Sequence, residues 1–327
     1  MKFDHSPTGR FDFVDLAPPT TSFLDEVVGG LTRAQKELPA KYFYDQRGSQ
    51  LFEAICSTPE YYPFRTEAAL MRKHGAAMAS ALGDAVLLIE YGSGSGDKTR
   101  VLIEALNPAA FVPIDISASA LTDFVSSLAS VRLDLPITAI CADYTRPLAF
   151  PDFSATPHRR KAVYFPGSTI GNLTREESFA FLSQTAELVG AGGAMLVGVD
   201  TKKEPALLHA AYNDREGVTA EFNRNVLVHI NRVLGADFDP RSFWHYAFYA
   251  APMGRIEMHL VSNKTQVVNV AGRQFSFREG ETIHTEISCK YAVQEFQALA
   301  SRAGFSSAQV WVDDDKLFSV HLLVVTA

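Results

Sequence analysis

The chain has 327 residues, 47% of them apolar and 20% charged, with a formal net charge of −7, a balance that suits a globular core domain plus a second, substrate-facing region. No block of lysines and arginines appears, which excludes the electrostatic footprint of a nucleic-acid binder. Three scattered cysteines (Cys56, Cys141, Cys289), nine dispersed histidines without metal-site spacing, and no run of about 20 apolar residues argue against a disulfide frame, a zinc site and a membrane span, and point to a metal-free, cytoplasmic protein. A monomer acting on small molecules is the expectation, although composition does not fix the oligomeric state.

Residues 1–20 are polar, end in prolines and lack the apolar run of a signal peptide, so they are expected to form a surface arm. Residues 21–83 carry helical spacing, with Leu51, Phe52 and Ile55 on one face and an Ala-, Met- and Leu-rich stretch from Ala68 to Leu82; they are assigned to a substrate domain. Between these lies Thr58–Glu67, bracketed by Pro59 and Pro63 and holding Tyr61 and Tyr62. It reads as a shaped loop, and 58–65 as a candidate lid.

From 84 to 200 short apolar runs alternate with amphipathic helices. The runs are Val86–Tyr91, Ala110–Ile116, Ile137–Cys141, Ala162–Phe165 and Ala194–Val199. Such a pattern predicts an α/β core, a Rossmann-like, mostly parallel sheet covered on both faces. Asp97 is the expected cap of a helix Lys98–Leu106, and Thr174 with Glu177 forms a capping box. The alternation stops after Asp200. Residues 201–285 read as an insertion, with one helical stretch Glu204–Leu234 and hairpin-like patterns over Phe243–Val261 and Val267–Phe277. Residues 286–327, with a helix Val293–Ala303 and strands at Gln309–Trp311 and Phe318–Val325, complete the core sheet.

The strongest local signal is Leu88–Thr99. A strand ends at Glu90, Gly92, Gly94 and Gly96 follow at alternate positions, and a helix begins. Glycines let the backbone turn tightly and approach a ligand. The dinucleotide pattern G-x-G-x-x-G fails because Asp97 occupies its last position; an acid there repels a phosphate but tolerates the ammonium of an amino-acid cofactor. The form found here, G-x-G-x-G after an acid, resembles motif I of class I methyltransferases, which use S-adenosyl-L-methionine. Asp115 closes the second strand, where a carboxylate accepts hydrogen bonds from ribose hydroxyls. Asp143 and Tyr144 close the third, suited to an adenine amino group and to stacking on the ring. In the loop Phe165–Thr174, Gly167 permits close backbone approach. Asn172 there fits two roles: a polar contact near the methyl group, or a helix cap, for which Thr174 is the better candidate.

Taken together, Tyr42–Asp45, Gly48–Phe52, Pro59–Arg65, the glycine loop, Phe165–Asn172, Ile256–Leu260 and Ile283–Ser288 resemble the histidine-specific methyltransferases. Those enzymes make hercynine, the Nα-trimethyl derivative of histidine and a precursor of ergothioneine. The similarity runs from about residue 20 to the C-terminus. It implies that Tyr61, Asn172 and Tyr212 contact the carboxylate and amine of L-histidine. It places Glu286 and Ser288 on the imidazole, Met258 in the pocket wall and Tyr44 beside the amine, with Tyr44 and Asn172 nearest the chemistry. On the cofactor side it implies Gly92, Gly94, Lys98, Asp115, Asp143, Tyr144 and Gly167. Tyr144 departs from the phenylalanine usual after that acid. Spacing from Tyr44 favours Tyr61 over Tyr62 as the inward tyrosine. The alternative acceptor, tryptophan or another aromatic amine, is disfavoured by the pair Glu286 and Ser288, which as residues two apart in a strand share one face.

Overall fold

The computed structural model describes residues 3–5, 11–16, 20–94, 96–146, 148 and 150–326. Parts of the predicted arm (1–2, 6–10 and 17–19), and Ser95 of the glycine loop, lie outside the described residues. The chain divides into two compact units, each assembled from separate segments. One is Met1–Ala17, Pro63–Lys202 and Lys290–Ala327; the other is Pro18–Tyr62 and Lys203–Cys289.

The first unit is built on a nine-stranded sheet. Its strands, in spatial order, are Phe3–His5, Asp12–Asp15, Thr138–Cys141, Ala110–Asp115, Val86–Tyr91, Arg160–Phe165, Ala194–Asp200, Phe318–Val325 and Phe305–Val312. Strands two to seven of that order run parallel, and the two C-terminal strands and Phe3–His5 add antiparallel edges. Every residue of Val86–Tyr91 and Ala194–Asp200 is buried, as expected where helices cover both faces. Met71, Leu102, Phe111, Phe124, Tyr164 and Val320 belong to the resulting core. The parallel strands share one carboxyl edge, where open α/β sheets bind ligands.

Several expectations change in detail. Strands Phe3–His5 and Asp12–Asp15 pair with the sheet, so this part of the arm is not laid loosely over the surface. A helix spans Tyr62–Leu82. Pro63 lies in its first turn, where a missing N–H costs nothing, and the loop therefore shrinks to its first few residues. The same helix counts almost wholly with the sheet and not with the segment preceding it. Helix Asp97–Leu106 is capped by Gly96 in the left-handed region, and Asp97 is its first residue. The Thr174–Glu177 capping box forms at the start of helix Arg175–Val189.

The second unit holds a four-stranded sheet in the order Lys36–Glu37, Thr282–Cys289, Arg255–Ser262, Phe243–Ala250, together with a hairpin Gln266–Val270/Arg273–Phe277. Its helices are Thr20–Leu31, Gln46–Ser57, Pro205–Tyr212 and Val218–Leu234. The last two replace the single expected helix. Asp214 ends the run by accepting from the Val218 and Thr219 amides at 2.8 Å each, and Gly217 turns the chain at φ 74°.

Strands Arg255–Ser262 and Thr282–Cys289 pair Ile256 with Ser288 and Met258 with Glu286, then slip so that His259 faces His284. Thr285 is the extra residue of this bulge. Its hydroxyl donates to Asn223 Oδ1 at 2.7 Å, while Asn223 Nδ2 donates to the His259 carbonyl at 3.0 Å. The bulge puts Met258, Glu286 and Ser288 on one face of the sheet and Glu257, His259 and His284 on the other.

Candidate active site

At the carboxyl edge of the nine-stranded sheet, Gly92, Gly94 and Gly96 have φ of 71°, 49° and 73°, a region that side-chain-bearing residues rarely enter. A Cβ at Gly96 would stand 2.0 Å from the Phe124 ring, whereas one at Gly94 would meet nothing within 4 Å. Gly96 is thus fixed by packing, and Gly94 leaves its backbone open to a ligand. Asp115 sits beside that opening: its carboxylate accepts from the Ser117 amide at 2.9 Å and from Gly94 N at 3.4 Å. Burial pushes the Asp115 carboxyl above its ordinary value, and the amides of Ser117, Gly94, Ile116 and Ser93 pull it back.

Tyr144 packs its ring 5.3 Å from Tyr91 and 5.7 Å from Phe165, closing an aromatic wall next to Gly92. Asp143 is buried, accepts from Thr145 N at 3.1 Å and pairs with Arg146 at 3.5 Å. Lys98 reaches Gly167 through a residue not anticipated from sequence, Glu67. This fully buried carboxylate bonds Lys98 and accepts from the Gly167 amide at 2.8 Å. Nothing in the sequence separates Glu67 from the neighbouring charged residues Arg65, Arg72 and Lys73. Asn172 ends the half-buried 3-10 turn Thr169–Asn172, and Thr174 is the cap of the next helix, so the capping role does not fall to Asn172.

Glu90, just before the loop, is completely buried and receives the Thr99 hydroxyl, while its Oε2 has no partner among the described residues. Burial raises its pKa to about 8. These residues fit S-adenosylmethionine. An open glycine turn, a braced carboxylate at the second strand end and an aromatic wall match the methionine, ribose and adenine parts in turn.

The second unit gathers a different set. Tyr61 lies edge-on to Tyr212 at 6.2 Å and to Phe52 at 6.2 Å; Tyr44 packs 5.7 Å from Phe52 and from Phe222. Tyr212 ends helix Pro205–Tyr212 and donates its hydroxyl to Ser288 Oγ at 2.8 Å. Glu286, 9% exposed, adjoins Ser288 on the same sheet face, opposite Met258. Burial, then the neighbouring Tyr212, Cys56, Tyr44 and Glu286, hold the Tyr61 phenol well above its usual pKa, so it stays neutral. Tyr62 is placed otherwise: its hydroxyl accepts from Lys203 Nζ at 2.7 Å, with the ammonium 4.4 Å from its ring. Tyr61, and not Tyr62, therefore joins Tyr44, Tyr212 and Glu286.

The family described as histidine-specific, S-adenosylmethionine-dependent methyltransferases matches residues 23–325. The chain belongs to this family. The chain is similar to the histidine N-alpha-methyltransferase of Mycolicibacterium smegmatis, 40% identical over 306 residues, which span 91% of this chain and 94% of that protein. The protein of the same name from Mycobacterium tuberculosis is 40% identical over 303 residues, 91% and 93% of the two chains. Ergothioneine biosynthesis protein 1 of Neurospora crassa is 29% identical over 88% of this chain but only 33% of its own length. Membership makes the enzyme an S-adenosylmethionine-dependent methyltransferase.

Proposed function

We propose that the enzyme transfers three methyl groups in succession from S-adenosylmethionine to the α-amino nitrogen of L-histidine, giving hercynine, and that it works as a cytoplasmic monomer on the free amino acid. The observation that carries this reading is the buried carboxylate of Glu286 set beside Ser288 in an otherwise neutral, aromatic cluster. An imidazole presents one N–H and one bare nitrogen. Glu286 accepts from the first. Tyr212 donates to Ser288 Oγ, which casts Ser288 as donor towards the second. An indole lacks the bare nitrogen, and an aliphatic side chain offers neither group. The two similar mycobacterial proteins, named for histidine N-alpha-methylation, support the same reading.

The cofactor supplies a methyl carbon already activated by a sulfonium. Displacement there needs alignment more than acid–base power. What the protein must do is hold the amine neutral and pointed. Tyr61 and Tyr212 offer uncharged hydrogen-bonding groups to the amino-acid head, and an aromatic site disfavours the ammonium over the amine. Each transfer forms one N–C bond and breaks one C–S bond; the ammonium gives up one proton before each attack, and the third transfer leaves a quaternary nitrogen with a fixed charge. As methyl groups accumulate the cation grows, and the Tyr44 face holds it by cation–π attraction.

The test is a panel of amino acids with wild type and Glu286→Ala. Loss of one charged hydrogen bond predicts a fall of about 10²-fold in kcat/KM for histidine, with little change for poor substrates such as tryptophan. Equal turnover of histidine by both proteins removes the basis of the specificity.

A further inference from the structure

Away from the groups used in methyl transfer, the opposite face of the four-stranded sheet gathers Glu257, His259 and His284. One ligand-type atom from each lies within 4.8 Å of the others. We propose that these three residues bind a divalent transition-metal ion of the zinc class.

Strand geometry assembles the set. Glu257 and His259 are two apart and share a face, and the Thr285 bulge pairs His259 with His284. Without that extra residue His284 would lie on the face of Glu286. The histidines carry the mark of an unmet ligand. His259 is only 9% exposed, and neither its Nδ1 nor His284 Nε2, both buried, has a hydrogen-bond partner among the described residues. Leaving such nitrogens bare costs free energy, and a metal ion takes their lone pairs.

The surroundings orient the ligands. Arg255 holds Glu257 Oε1 through two nitrogens at 2.9 and 2.7 Å, while Oε2 points to His259 Nε2 at 3.3 Å. The His284 ring hydrogen-bonds the Glu286 backbone, an outer contact of the kind that fixes a ligating imidazole. Phe248 stacks on His259 at 5.6 Å and 16°, and the two imidazole centroids are 4.9 Å apart. Two imidazoles and a carboxylate suit zinc, with one position left for water. Ligand atoms around such an ion stand roughly 3.4 Å apart for bonds of about 2.1 Å, so the three side chains draw together on binding. The Arg255 charge opposes the ion, so binding is weaker than in a structural zinc site. Spacing rules missed the set because its ligands come from two strands.

The test uses tag-free, chelator-treated full-length protein, titrated with zinc chloride by calorimetry and with cobalt chloride by visible absorption. The expected result is one equivalent of either ion, cobalt bands of tetrahedral intensity, and a zinc-dependent rise in Tm. Each of Glu257→Gln, His259→Gln and His284→Gln should weaken binding at least tenfold, with circular dichroism and cofactor binding reporting that the variants are folded. No saturable binding by wild type overturns the proposal. So does undiminished one-to-one binding in a folded variant, which would put the ion elsewhere.

Discussion

Glu90 ends the strand that feeds the glycine loop, and its burial raises its pKa from 4.5 to about 8. Between those values the folded protein keeps a proton that the unfolded chain has lost. Stability conferred by the neutral acid is full below pH 4.5, falls as pH rises through the window and levels off above 8, at up to about 1.4 kcal/mol per pH unit. Glu90→Gln should abolish this slope and be more stable than wild type at pH 8 by on the order of a few kcal/mol; urea unfolding of the cofactor-free protein at several pH values checks it, and parallel profiles would contradict it. Asp115 was legible in the sequence because an acid at a strand end needs only local reading. Replacement by Ala should weaken S-adenosylmethionine by about 10²-fold, measured calorimetrically, through loss of charge-assisted hydrogen bonds. Glu67 was not legible, since its partners Lys98 and Gly167 come from distant segments.

At the scale of elements, the glycine loop separates two kinds of glycine. Gly96→Ala forces a methyl group into Phe124 and demands a left-handed backbone; it should cost about 2 kcal/mol or more. Gly94→Ala pays mainly the backbone term, about 1 kcal/mol, yet intrudes on the open side of the turn and should weaken cofactor binding more than it lowers Tm. Thermal unfolding and cofactor titration of the two variants distinguish these effects. The alternation of strands and helices was readable because parallel strands buried on both faces are continuously apolar. Three boundaries were not. Pro63 reads as a loop residue until it is seen in a first helical turn, and Asp214 breaks a helix by capping the next one. The Thr285 bulge depends on Asn223, 62 residues away in sequence. Asn223→Ala should cost about 1–3 kcal/mol and raise the KM for histidine while sparing cofactor affinity, because it releases the strand that carries Glu286.

Over the whole molecule, the candidate site residues divide between the two units. Gly92, Lys98, Asp115, Asp143, Tyr144, Gly167 and Asn172 belong to the sheet unit; Tyr44, Tyr61, Tyr212, Met258, Glu286 and Ser288 belong to the other. Both units are discontinuous in sequence. Composition shifts along the chain locate the core but cannot tell which flanking segment returns to which unit, as the helix Tyr62–Leu82 illustrates. The most direct measurement is mass spectrometry of L-histidine incubated with the enzyme and S-adenosylmethionine. Species with one, two and three added methyl groups should appear in turn, with fragmentation placing all three on the α-nitrogen. Unmodified histidine, alongside methylation of tryptophan or another amine offered in the same mixture, would contradict the assignment.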